Sequence, residues 1–132
     1  MKPMPPLRSP LKHARGLGSA HTGTHHFWVQ RATAVALVPL TLWFMRAFAS
    51  HVAGSGASSV ASWLKSPFVA LALAAMLLAG ITHARMGVQV IIEDYVAKEG
   101  TKIVLLLLLN AIAFVLMAMS LMAIAKLHFI GA

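Results

Sequence analysis

The sequence predicts an all-α membrane protein with three transmembrane helices, its N-terminus in the cytoplasm and its C-terminus on the opposite side. Three observations lead there. Of the 132 residues, 59% are hydrophobic and only 11% charged, the composition of a membrane span rather than of a water-soluble domain. The apolar residues gather into three runs, at 27–48, 67–92 and 103–125, each reaching the ~20 residues that cross a hydrocarbon core about 30 Å thick. Lys and Arg, finally, are shared unevenly between the segments outside those runs. The chain therefore divides into a basic tail (1–26), a three-helix anchor domain (27–126) and a short C-terminal tail (127–132).

The tail carries Lys2, Arg8, Lys12 and Arg15 and no acid, with prolines at 3, 5, 6 and 10, so no regular helix is expected before about Leu11. Those prolines would break the amphipathic helix of an organelle transit peptide, and no cleavable signal with a short apolar core is visible. The tail is read as retained. The formal charge of +8 does not point to nucleic acid, because positive charge beside apolar spans serves to orient them in a bilayer. With no cysteine there is no disulfide, no thiolate nucleophile and no Cys-held zinc or iron–sulfur cluster. Any redox centre on this chain must be held by histidine.

In the first span the polar residues are Gln30, Arg31, Thr33, Thr41 and Arg46. The two arginines lie near its ends, where long side chains reach the headgroups, and Trp28 and Trp43 stand where interfacial aromatics are common. Pro39 should kink it. Residues 50–62 are rich in Gly, Ser and Ala without charge and read as a flexible connection. Residues 63–67 form an interfacial lead-in, with Pro67 suited to a helix's first turn. The second span, at about 26 residues, exceeds the core thickness and should tilt or protrude. Residues 93–100 hold all three acids, Glu93, Asp94 and Glu99, in a polar turn that Gly100 is expected to break. The third span contains only Asn110 and Ser120 as polar residues and reads as packing scaffold. Four basic residues precede span one, while Lys65 alone lies in the loop after it, which places the tail in the cytoplasm.

One histidine stands at membrane depth. His25 and His26 sit at the entry to span one, and His51 and His128 lie at or beyond the opposite interface, which leaves His83. At 100° per residue, Gly87 falls about 40° and Gly80 about 60° from His83, whereas Arg85 is about 200° away. Two readings of this face stand open. A side-chain-free patch beside an imidazole lets a flat macrocycle reach it edge-on, making His83 a haem ligand whose opposite ligand comes from another subunit. Alternatively the glycines admit a neighbouring helix closely, and His83 hydrogen-bonds across that interface as a packing or proton-relay residue of a structural, assembly or transport protein. Toward the cytoplasmic end lie His25, Arg31, Asp94 and the only tyrosine, Tyr95. Cationic groups there can pair with haem propionates, and Arg31 and Tyr95 can hydrogen-bond a quinone carbonyl. Equally, Arg31 can be a headgroup anchor and Tyr95 an interface aromatic.

The pattern HAxxGxxxIxEDY at 83–95, with GTHHFxxxRATA at 23–34, resembles the small hydrophobic membrane anchor of succinate dehydrogenase, respiratory complex II, over residues 20–126. The resemblance implies a protein with no catalytic activity alone. It implies His83 as axial ligand of a haem b shared with a second membrane anchor subunit, the larger cytochrome b anchor. It further implies Tyr95 as a hydrogen-bond donor to ubiquinone near the iron–sulfur subunit, with Asp94 in support, and Arg31 and His25 near the propionates and the quinone. Electrons would come from a flavoprotein subunit. The implied location is the bacterial inner membrane in preference to the mitochondrial one, and the anchor of a fumarate-reducing relative is the nearest alternative. Some relatives have an aspartate in place of His26, and in some the position of Arg85 is uncharged.

Overall fold

The computed structural model describes residues 23–55 and 57–129, with backbone alone at 55, 57 and 58. Most of the basic tail and residues 130–132 lie outside the described residues. The described residues form four helices: α1 Gly23–Ser55, α2 Ala57–Leu64, α3 Pro67–Tyr95 and α4 Glu99–Phe129. Three of them, α1, α3 and α4, are long and apolar enough to cross a membrane.

Each long helix overruns the apolar run that predicts it. The 29 residues of α3 extend roughly 43 Å at 1.5 Å per residue. Ser66 precedes it in an extended conformation, and Pro67 takes the first helical position, where its missing N–H was unpaired in any case. The helix ends as Val96 turns extended, its N–H still bonded to the Ile92 carbonyl at 3.1 Å. Gly100, expected to break the chain, sits in the first turn of α4. The first-turn N–H groups lack intrahelical partners, so a glycine costs little there, and Glu99 meets the positive end of the helix dipole. Along α1 the helix continues through Pro39. Asn110, a polar residue inside α4, is satisfied on its own helix, donating from Nδ2 to the Leu106 carbonyl at 2.8 Å.

The connection expected to be flexible, 50–62, is helical at 50–55 and again at 57–62. Within α2, Val60, Trp63 and Leu64 fall at i, i+3 and i+4, one apolar stripe. Trp63 lies 6.0 Å from Trp43 and 6.1 Å from Phe44, and stacks on His51 at 5.2 Å. Phe44 stacks on Phe48 at 5.6 Å, and His51 Nδ1 is 2.9 Å from Ser59 Oγ. Each aromatic pair adds roughly 0.5–1.5 kcal/mol beyond area burial. The cluster fastens α2 to the end of α1.

The middle long helix, α3, packs against both α1 and α4. Buried side chains are few: Val69 and Met86 on α3, Ala113 on α4. Elsewhere the surface is apolar, with Val35, Leu71, Phe114 and Met122 each at least 70% exposed. Helices hydrophobic all round are what lipid or a partner bundle covers. Between the three long helices runs a groove of about 620 Å³, lined by apolar side chains such as Leu37, Phe44, Met76 and Leu109, with Arg85 as its one charged residue.

Candidate functional site

The site begins where α1 crosses α3. The two helices run antiparallel with their small and polar residues interleaved. Gly80 faces Leu37, to whose Cδ2 a Cβ on Gly80 would come within 3.7 Å, and a Cβ on Gly87 would lie 3.9 Å from Gln30 Nε2. The glycine face is therefore spent on helix contact, as the small-residue reading has it. Between the two glycines, His83 Nδ1 lies 3.2 Å from Thr33 Oγ1 and 3.3 Å from the Gln30 carbonyl oxygen. Thr33 in turn places its hydroxyl 2.8 Å from the Val29 carbonyl and 3.0 Å from that of Gln30. One imidazole nitrogen is thus committed to α1. No hydrogen bond occupies the other, Nε2, among the described residues.

Next to this crossing opens a cleft of about 460 Å³ lined by Gly23, His26, Phe27, Gln30, Arg31, Gly87 and Val90. Polar side chains share its lining with apolar ones. His26 Nε2 and Gln30 Oε1 are both buried without a hydrogen-bond partner, which costs on the order of 1–3 kcal/mol for each such group unless a ligand or another chain satisfies it. The exposed Arg31 guanidinium lies over the Phe27 ring, 4.6 Å from its centroid. This cation–π contact, worth about 0.5–1 kcal/mol at an exposed position, holds the charge at the cleft wall.

The structure thus gathers some expected site residues and leaves others apart. Arg31 joins the cleft beside Gly87, one turn from His83. His25 is exposed and does not line the cleft, and its neighbour His26 does. The reason is rotation: adjacent helical residues point about 100° apart, and α1 turns residues 26, 30, 33 and 37 toward α3. Asp94 and Tyr95 stand exposed at the end of α3, about 18 Å along the axis from His83. Tyr95 is 84% exposed, and neither residue contributes to the cleft. Nearby, Glu93 accepts a 2.8 Å hydrogen bond from Gln89 Nε2. Arg85 lies off the His83 face, as the helical angle requires. It lines the apolar groove, and its Nε is buried without a partner.

Sequence reasoning missed Gln30 and Thr33 as neighbours of His83, which are 53 and 50 residues away. The signal was present as a polar stripe, His26, Gln30 and Thr33, recurring every three to four residues along one face of an apolar span. Among the described residues no three His, Asp or Glu side chains cluster as a multi-ligand metal site. At the α1–α3 crossing the reactive group is the His83 imidazole, with the cationic Arg31 in the cleft beside it.

The family model described as Succinate dehydrogenase/Fumarate reductase transmembrane subunit matches residues 5–119. The chain is 39% identical over 87 residues to the succinate dehydrogenase hydrophobic membrane anchor subunit of Paracoccus denitrificans, covering 66% of this chain and 67% of that one. To the protein of the same description from Rickettsia bellii it is 34% identical over 91 residues, or 69% and 72% of the two chains. To the succinate dehydrogenase membrane anchor subunit of Reclinomonas americana it is 33% identical over 100 residues, or 73% and 82%. No solved structure matches the chain at comparable significance.

Proposed function

The chain belongs to the succinate dehydrogenase/fumarate reductase transmembrane subunit family as a succinate dehydrogenase hydrophobic membrane anchor, and on that premise we propose that it co-ligates a haem b and helps form a quinone-reduction site. The observation that carries this reading is the state of His83. Its Nδ1 is engaged by Thr33 and Gln30 across the α1–α3 contact, which orients the ring and leaves Nε2 as the ligand nitrogen. Metal-bound histidines characteristically hold their second nitrogen in such a hydrogen bond. Packing against α1 and ligation are therefore compatible roles of one side chain.

The neighbouring cleft fits the same group. Propionates are anionic acceptors, and the cleft offers the Arg31 guanidinium together with His26 Nε2, which is buried and unpartnered and in its protonated tautomer is a donor. In this reading His26 takes the place at the propionates first expected of His25. Haem, when bound, supplies a one-electron carrier within the bilayer. His83 would hold it together with a ligand from the second, larger cytochrome b anchor, and Arg31 and His26 would hold its charged edge.

Tyr95, with Asp94 beside it, presents a phenol at the end of α3, exposed and free to donate to a ubiquinone carbonyl at headgroup level, with Arg31 on the same side of the membrane. Electrons reach that site from a flavoprotein and an iron–sulfur subunit, and this chain performs no catalysis alone. The N-terminus and the 96–98 turn face the cytoplasm of a bacterium, at whose inner membrane the complex resides. The test is purification of the tagged complex in mild detergent, with haem counted per anchor chain. Parent complex is expected to contain three co-purifying partners and a b-type spectrum, and His83→Leu the same partners with haem lost or loosened. Full haem occupancy with an unchanged spectrum in His83→Leu would refute the ligand assignment.

A further inference from the structure

We infer that Thr33 is a positioning residue of the haem-ligating histidine: its hydroxyl, together with the Gln30 carbonyl, fixes the Nδ1–H tautomer of His83 and adds to how strongly Nε2 donates to iron. The inference rests on the haem reading above. A threonine hydroxyl has a single hydrogen and two lone pairs. Two backbone carbonyls of its own helix take that hydrogen, Val29 at 2.8 Å and Gln30 at 3.0 Å, the usual way a threonine hides its hydroxyl in an apolar span. Toward His83 Nδ1, at 3.2 Å, Oγ1 is left with lone pairs only. The Gln30 carbonyl oxygen, 3.3 Å from the same nitrogen, is likewise an acceptor and nothing else.

Nδ1 therefore faces two acceptors. An unprotonated Nδ1 would set lone pair against lone pair in a low-dielectric setting, where a mismatched polar contact is costly. The hydrogen must sit on Nδ1 and the free electron pair on Nε2, the form that binds a metal. A donated N–H also pushes electron density into the ring and raises its basicity as a ligand. A more basic ring favours the oxidised metal, so the Thr33 contact lowers the reduction potential. Thr33 gains this position because it lies seven residues after His26 and three after Gln30, on the stripe of α1 that meets the face containing Gly80, His83 and Gly87.

The test uses the assembled complex and reads the haem, not turnover. Thr33→Val keeps the shape of the side chain and removes the hydroxyl. Haem content should stay at the parent level, while the reduced-to-oxidised ratio at fixed ambient potential rises by on the order of tenfold, about 59 mV for one electron. The low-spin electron paramagnetic resonance signal should shift with it. Thr33→Ser, which restores the hydroxyl, should return both toward the parent. Thr33→Ala removes the hydroxyl without adding a methyl group and is read in the same way if the valine disturbs assembly. A parent-like potential and resonance signal in the hydroxyl-free variants would overturn the inference. If His83→Leu loses its haem while those variants are unchanged, only the Thr33 assignment falls; if His83→Leu keeps its haem, the underlying reading falls as well.

Discussion

Removing one oxygen atom from Tyr95 separates a quinone ligand from an ordinary interface aromatic. The side chain is 84% exposed at the last turn of α3 and makes no hydrogen bond among the described residues, so Tyr95→Phe should change stability by no more than about 0.5 kcal/mol. What it removes is a donor. A phenol bonded to a quinone oxygen that gains negative charge on reduction makes a charge-assisted bond, worth about 1.5–3 kcal/mol. At about 1.4 kcal/mol per factor of ten, succinate–ubiquinone turnover should fall by roughly ten- to hundredfold. Because Tyr95 lies about 18 Å along the helix axis from His83, haem content and electron flow from succinate to a water-soluble acceptor should be unaffected. Membranes containing the variant, assayed with ubiquinone and with the soluble acceptor, give both numbers. Parent-level quinone turnover in a fully assembled variant would refute the assignment, and an equal loss with both acceptors would show damage upstream of the quinone.

Other consequences follow from the packing. A Cβ at position 80 meets Leu37 at ordinary van der Waals distance, 3.7 Å, so Gly80→Ala should shift the melting of the detergent-solubilised complex by no more than the equivalent of about 1 kcal/mol. Gly80→Phe should push α1 from α3 and destabilise by about 1–3 kcal/mol. Trp63→Ala, which empties the centre of the Trp43, Phe44 and His51 cluster, should cost about 1–3 kcal/mol in the same melting assay, below the full core value because Trp63 is half-buried. Since the chain has no cysteine of its own, single cysteines report sidedness cleanly. Ser62→Cys should react with an impermeant maleimide in intact spheroplasts, and Lys98→Cys only after the membrane is opened; the reverse pattern would invert the topology.

The three long helices were legible because an apolar run of more than 20 residues has few other uses. The start of α3 near Pro67 was legible, since proline is tolerated at a first helical position and not in the turns that follow. The separation of Arg85 from His83 needed only the helical angle. Other features depended on contacts that no local pattern encodes. The helix at 57–64 has the Ser and Ala content of a loop, and its order comes from Trp63 meeting aromatics some twenty residues earlier. Whether His25 or His26 enters the cleft turns on the rotation of α1, which only its contact with α3 decides. The same holds for Thr33: a threonine in an apolar span is ordinary until the partner of its oxygen is seen.

The most direct test of the central claim is the position of the haem iron in an electron cryo-microscopy map of the assembled complex. Iron is expected within coordination distance of His83 Nε2, with Nδ1 still between Thr33 Oγ1 and the Gln30 carbonyl and a ligand from the larger anchor opposite. A haem held entirely by residues of other subunits, with His83 packed against α1 and away from the iron, would contradict it.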